Sequence, residues 1–186
     1  MSRTALRIAI VGAESTGKST LAIALARHLA HTTGLRCAPV GEWLRDWCEL
    51  HGRTPKRHEQ QAIAEGQTAR IEAAAAANDI VIADTTALMT AVYSDIVFGD
   101  RSLDGQALAA HGRCQATLLM ALDIAWLPDG LQRDGPQVRA PVDARIRALL
   151  TQGGLNWHLV QGQGEARLES ALDALRPVLP NRALMR

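Results

Sequence analysis

Residues 7–20 read Arg7-Ile-Ala-Ile-Val-Gly12-Ala-Glu-Ser-Thr-Gly17-Lys18-Ser19-Thr20. An apolar run closes on glycine, and the eight residues from that glycine fit G-x-x-x-x-G-K-[ST]. The run predicts a buried strand. Beyond the motif, Leu21, Leu25 and Leu29 repeat at i, i+4, i+8, which predicts an amphipathic helix. A loop between such a strand and helix turns successive backbone N–H groups toward one point, and these cradle phosphate oxygens. Gly17 permits close backbone approach, Lys18 brings positive charge to β- and γ-phosphates, and Ser19 offers a hydroxyl to Mg²⁺. Gly12, Ala13, Glu14, Ser15, Thr16, Gly17, Lys18, Ser19 and Thr20 are therefore the expected nucleotide-binding residues. A chance match on a glycine-rich turn would lack the flanking strand and helix.

Outward from this loop, strands and helices alternate. Cys37–Gly41 predicts a second strand, weakened by Pro39, and Glu42–Leu50 a short helix. Residues from Pro55 to about Ala77 predict a long helix, and Ile80–Asp84 (IVIAD) a strongly apolar strand. Helices over Ala87–Val97 and Leu103–Arg113 precede a strand over Ala116–Asp123. The polar stretch Asp129–Ala140, with two glycines and a proline, predicts a mobile loop. A helix over Val142–Leu150, a strand over Asn156–Gln161 and a helix over Glu165–Arg176 follow. This alternation predicts an α/β fold with a parallel sheet covered on both faces.

The chain has 186 residues, 47% hydrophobic and 21% charged, with net charge +1. About 100–200 residues make one domain, so residues 1–186 are expected to form one. The composition excludes a disordered tail, a collagen-like fibre and a disulfide scaffold. The balanced charge gives no sign of a nucleic-acid-coating surface. Only Lys18 and Lys56 are lysines among 20 basic residues, so one of the two stands in the phosphate motif. Cys37, Cys48 and Cys114 form no C-x-x-C pair and suit free thiols in a reducing compartment. Neither a signal-peptide core nor a membrane-spanning stretch is evident, so a cytoplasmic protein with no membrane partner is expected. Homo-oligomerisation is left open.

Asp84 ends an apolar strand, and ligands of open α/β sheets bind at the carboxyl ends of strands. It is the expected carboxylate for Mg²⁺, or for the acceptor's proton, although Asp84-Thr85-Thr86 would also cap a helix. Glu42, after the second strand, opens on the same edge as a substrate-binding or proton-accepting residue. Arg133 and Arg139 lie in the polar loop, where a closing lid would set positive charge against transferring phosphate. Trp126, just before that loop, offers an indole face to a planar or cationic ring, or packs beneath the loop.

Together these residues resemble the ribosylnicotinamide kinase domain of the NadR family. The resemblance runs from about Arg7 to Leu175. It rests on GAESTGKST, Gly41-Glu42-Trp43, Ile63-Ala64-Glu65-Gly66-Gln67, Asp84-Thr85 with Thr90 and Tyr93, and Trp126-Leu127-Pro128-Asp129-Gly130 before Arg133-Asp134 and Arg139. It implies a three-layer P-loop NTPase fold of the nucleoside/nucleotide-kinase type, with a mostly parallel five-stranded sheet. It further implies phosphorylation of the 5′-hydroxyl of nicotinamide riboside by ATP and Mg²⁺, giving nicotinamide mononucleotide. Asp129 would then join Glu42 and Trp126 in substrate binding, and Lys18, Asp84, Glu42, Arg133 and Arg139 would serve catalysis. Thr86 stands where the family often has a second Asp, which leaves Asp84 or Glu42 to act as base. Larger relatives carry DNA-binding and adenylyltransferase regions that this length does not accommodate. The alternatives are a kinase for another nucleoside or nucleotide, and a nucleotide-dependent switch with weak ATPase activity.

Overall fold

A computed structural model describes residues 4–127 and 135–180. Five strands form one sheet: β1 (Leu6–Val11), β2 (Cys37–Val40), β3 (Ile80–Asp84), β4 (Ala116–Met120) and β5 (His158–Val160). Their spatial order is β2-β3-β1-β4-β5, and every pair is parallel. Seven α-helices connect or follow them: α1 (Lys18–Thr33), α2 (Trp43–His51), α3 (Gln60–Ala77), α4 (Ala87–Phe98), α5 (Asp104–His111), α6 (Arg139–Gln152) and α7 (Glu165–Leu175).

Side chains of a strand alternate between faces, and here both faces are apolar. Ile8 and Ile10 of β1, with Leu118 and Met120 of β4, pack against Leu25 and Leu29 of α1 and Ala171 and Leu175 of α7. Val11 and Leu119 point the other way, toward Leu88 and Val92 of α4 and Ile146 and Leu149 of α6. Val81 and Ala83 of β3 meet Ile71 of α3 on that second side. Helices therefore cover both faces, as the alternating pattern predicts. β1 lies between β3 and β4, so consecutive crossovers diverge from it. The crevice beyond its carboxyl end is where such sheets bind ligands.

Three local readings change. Pro39 is compatible with β2 because β2 is an edge strand, where a missing N–H costs no ladder bond on the open side. Trp157 precedes β5 instead of lying within it, and its half-buried ring carries the Arg147 guanidinium at 4.7 Å. The polar stretch before α6 is shorter than expected. Residues 136–138 form a 3₁₀ turn and α6 begins at Arg139, three residues before the predicted start. Pro136 and Pro141 fall at or near helical beginnings, where their fixed φ is favourable and their missing N–H is not needed. Val142, Ile146, Leu149 and Leu150 then fill the core at helical spacing. Of the residues read as lid, Arg139 is thus helical, while Asp129, Arg133 and Asp134 lie outside the described residues.

Helix α3 crosses close to α2. A Cβ on Gly66 would lie 2.3 Å from Trp43 Nε1, and the Arg70 guanidinium sits 4.4 Å from the centre of the same indole. Gly66→Ala should therefore push α2 outward. Overpacking costs about 1–3 kcal/mol, against about 1 kcal/mol gained in helix propensity. A lower melting temperature is expected, and an unchanged or higher one would show that the indole moves aside freely.

Candidate active site

The loop after β1 has the geometry its glycines allow. A Cβ on Gly12 would lie 2.8 Å from Met120 Cβ, so only glycine lets the chain turn against β4. Ser15 (φ 52) and Gly17 (φ 78) adopt left-handed conformations, which curl the loop into a concave nest of amides. Thr16 Oγ1 donates to the Ala13 carbonyl at 2.8 Å and closes the curl. Helix α1 starts at Lys18, so its unclaimed N-terminal N–H groups and its dipole face the same concavity. Lys18 Nζ folds back over the loop and donates to the Ala13 carbonyl at 2.9 Å.

Register brings the carboxylate alongside. Ile10 pairs with Asp84, and Thr85 N donates to the Ile10 carbonyl at 3.0 Å. Ser19 Oγ donates to Asp84 Oδ2. Asp84 is buried at 3% exposure, and its Oδ1 has no hydrogen-bond partner among the described residues. Leaving a buried carboxylate oxygen unsatisfied is costly, so Asp84 Oδ1 fits a further ligand. A hydroxyl beside an acceptor-only oxygen suits a hard, oxygen-seeking cation that keeps several waters and binds phosphate, as Mg²⁺ does. The capping alternative for Asp84 is answered by Thr86, whose hydroxyl accepts from Leu88 N at the start of α4.

Thr86 is tied to a buried histidine. Its hydroxyl lies 2.7 Å from His111 Nδ1, and His111 Nε2 lies 2.8 Å from Thr117 Oγ1. This buried chain ties the end of β3 to α5 and β4. Burial pushes the His111 pKa down to about 4, so the imidazole is neutral between two hydroxyls. Because the folded value is depressed, the unfolded chain binds a proton that the folded chain does not between about pH 6.5 and pH 4. Stability should therefore fall as pH drops through that window, by about 3 kcal/mol at its lower end. Urea melts from pH 7 to pH 4 should show a shallower slope for His111→Gln than for the wild type. Equal slopes would remove His111 from this account.

Glu42 stands at the carboxyl end of β2, as the residue before α2. With Gln67, Thr85, Met89, Thr90 and Tyr93 it lines a narrow cleft of about 10 Å³, room for roughly one water. Gln67, 2% exposed, braces this cleft. Its Oε1 accepts from Trp43 N at 2.6 Å and its Nε2 donates to the Thr85 carbonyl at 3.3 Å. One amide thus spaces the segment carrying Glu42 from the segment carrying Asp84. It also supports Thr85, whose φ of 70° is strained for a β-branched residue.

On the other flank, the chain after β4 lies against the loop. Ser15 Oγ donates to the Leu127 carbonyl at 2.7 Å. Half-buried Trp126 directs Nε1 to Glu14 Oε2 at 3.5 Å. Arg139, 9% exposed, donates from Nη1 to the Ile124 carbonyl at 2.9 Å, while its Nε and Nη2 are buried with no partner among the described residues. Ser19 and Asp84 are thus brought together, with Lys18 beside Ser19 at the start of α1, Glu42 shares a narrow cleft with Thr85, and Trp126 and Arg139 occupy the β4 side. The bracing roles of Gln67 and His111 escaped the sequence reading. Gln67 carried a signal in the quoted Ile63–Gln67 motif, whereas His111 looks like an ordinary polar position of a helix.

The fold is similar to those of several solved proteins. A crystal structure of NadR protein in complex with NAD and AMP-PNP matches with a TM-score of 0.72 at 22% identity, over 94% of this chain and 49% of that one. NadR protein in complex with NR gives 0.71 at 21% identity, over 94% and 50%. The chain spans about half the length of these NadR chains. Thymidylate kinase from Ehrlichia chaffeensis gives 0.67 at 14% identity, over 95% of this chain and 100% of that one. At such identities the likeness is one of fold, a five-stranded parallel P-loop sheet with helices on both sides. No curated protein matches the sequence. The AAA domain family model matches residues 7–167, from β1 through the phosphate loop and Asp84 into α7, and the chain belongs to that family.

Proposed function

We propose that the protein transfers the γ-phosphoryl group of ATP to a small-molecule hydroxyl, and that the acceptor is the 5′-hydroxyl of nicotinamide riboside. The observation that carries this reading is that Glu42 lines a narrow cleft with Thr85, the residue next to the Asp84 that Ser19 bonds. An acceptor hydroxyl reaching that edge of the sheet would have a carboxylate at hand. In-line transfer depends chiefly on such positioning and on positive charge around the phosphate.

Each residue then has a task. The loop amides and Lys18 bind and orient the triphosphate. Ser19 and Asp84 would hold Mg²⁺, which when bound offsets phosphate charge. With Asp84 committed to Ser19 and the metal side, Glu42 is the residue that orients the acceptor hydroxyl and takes its proton. The spare N–H groups of Arg139 supply charge from the β4 side, and Arg133, outside the described residues, is assigned the same task. Trp126 and Asp129 favour a cationic pyridinium, the former through its indole face and the latter through charge.

A coupled ADP-release assay with Mg·ATP and an acceptor panel tests this. Selective stimulation by nicotinamide riboside, with the mononucleotide identified by mass, is expected. Stimulation by a different nucleoside or nucleotide would discard the acceptor and keep the mechanism. That second reading draws support from the thymidylate kinase, which the chain matches over its whole length.

A further inference from the structure

Arg167 is a charged side chain buried to 5% exposure on α7, far along the chain from every motif. Its guanidinium meets three segments at the carboxyl edge of the sheet. Nη1 donates to the Thr16 carbonyl in the phosphate loop at 3.1 Å. Nε donates to the Gly162 carbonyl, in the turn after β5, at 2.6 Å. Nη2 donates to Asp123 Oδ1, on the segment after β4. Asp123 Oδ2 in turn accepts from Gly162 N at 2.7 Å, which closes a ring of bonds beneath the loop.

The contact with Thr16 has a directional consequence. In a trans peptide the C=O and the following N–H point opposite ways. A guanidinium holding the Thr16 oxygen below the loop therefore turns the Gly17 N–H up into the nest. That peptide joins Thr16 to Gly17, and glycine, left-handed here, tolerates either sign of φ. On the Gly17 side no Cβ opposes a flip that would present an oxygen to phosphate. The Arg167 bond opposes the flip, and Asp123 and Gly162 keep Arg167 in place.

We propose that Arg167, aligned by Asp123, is a positioning residue for the triphosphate: it fixes the Thr16–Gly17 peptide in the phosphate-receiving orientation and locks the turn after β5 to the loop. The proposal rests on the reading that this loop binds a nucleoside triphosphate. It concerns the nucleotide half of the site, since Arg167 lies on the sheet face opposite α3 and α4, which line the cleft holding Glu42.

The test is Arg167→Lys, which keeps the charge but cannot reach three acceptors at once. ATP and inorganic pyrophosphate are titrated into the full chain, and the Gly17 amide is followed by ¹⁵N–¹H NMR. Affinity for both ligands is expected to fall about tenfold, with the acceptor KM within twofold of wild type. The pyrophosphate-induced shift of the Gly17 amide should be lost. A merely structural role would lower the melting temperature and leave the affinities of the folded protein unchanged, and that result overturns the proposal. Should Arg167→Lys not fold, Asp123→Asn carries the same test, with a loss of about threefold expected for both ligands. Unchanged affinities in that variant overturn the proposal equally. Wild-type protein that binds neither ATP nor pyrophosphate would overturn the phosphate-site reading itself, a failure visible before any variant is made.

Discussion

Replacing Lys18 by methionine should reduce phosphoryl transfer by on the order of 10³-fold while leaving the fold in place. Methionine is similar in length and apolar, so it preserves the stem of the side chain and removes only the ammonium. The hydrogen bond to the Ala13 carbonyl is lost, at a cost of about 1 kcal/mol. The larger loss falls on the reaction. Negative charge accumulates on the bridging and γ-oxygens, and Lys18 is the cation that the loop itself carries. Initial rates of ADP release and a thermal melt check both halves. Turnover within tenfold of wild type would remove Lys18 from the mechanism.

Asp84→Asn should cost 10²- to 10³-fold in kcat, on the order of one preorganised electrostatic contact. The amide oxygen can still accept from Ser19, so the local geometry is retained. What disappears is the negative charge on a buried oxygen with no partner among the described residues. That charge is expensive to bury, so the variant should melt at the wild-type temperature or above it. The Mg²⁺ concentration needed for half-maximal rate should rise. Wild-type kcat at wild-type Mg²⁺ would show that Asp84 serves the fold alone.

The two halves of the site differ in how far the sequence disclosed them. The loop from Gly12 to Thr20 and the strand ending in Asp84 are local patterns, and local patterns survive folding. Their apposition follows because an apolar run of that kind becomes a central parallel strand, and register then sets Asp84 beside Ile10. Gln67, His111 and Arg167 are different. Each is a polar residue on a helix, a type usually solvated, and its burial becomes apparent only when a carbonyl or hydroxyl from a distant segment meets it. Thr86 illustrates the same point. In the sequence it is an aspartate missing from a motif, whereas in the fold it is a helix cap bonded to a buried histidine. Arg139 reads as loop because glycine and proline precede it, yet proline at a helix start favours the helix, and α6 begins there.

In the proposed reaction, phosphate leaves ATP for a bound hydroxyl acceptor. Its sharpest test follows γ-labelled ATP with wild-type protein, nicotinamide riboside and Mg²⁺, using Lys18→Met as the blank. Label is expected in phosphorylated acceptor, at a rate well above its release as inorganic phosphate. Label appearing only as inorganic phosphate, with this acceptor and with every nucleoside and nucleotide tried, would contradict it and mark the protein as a nucleotide-hydrolysing switch.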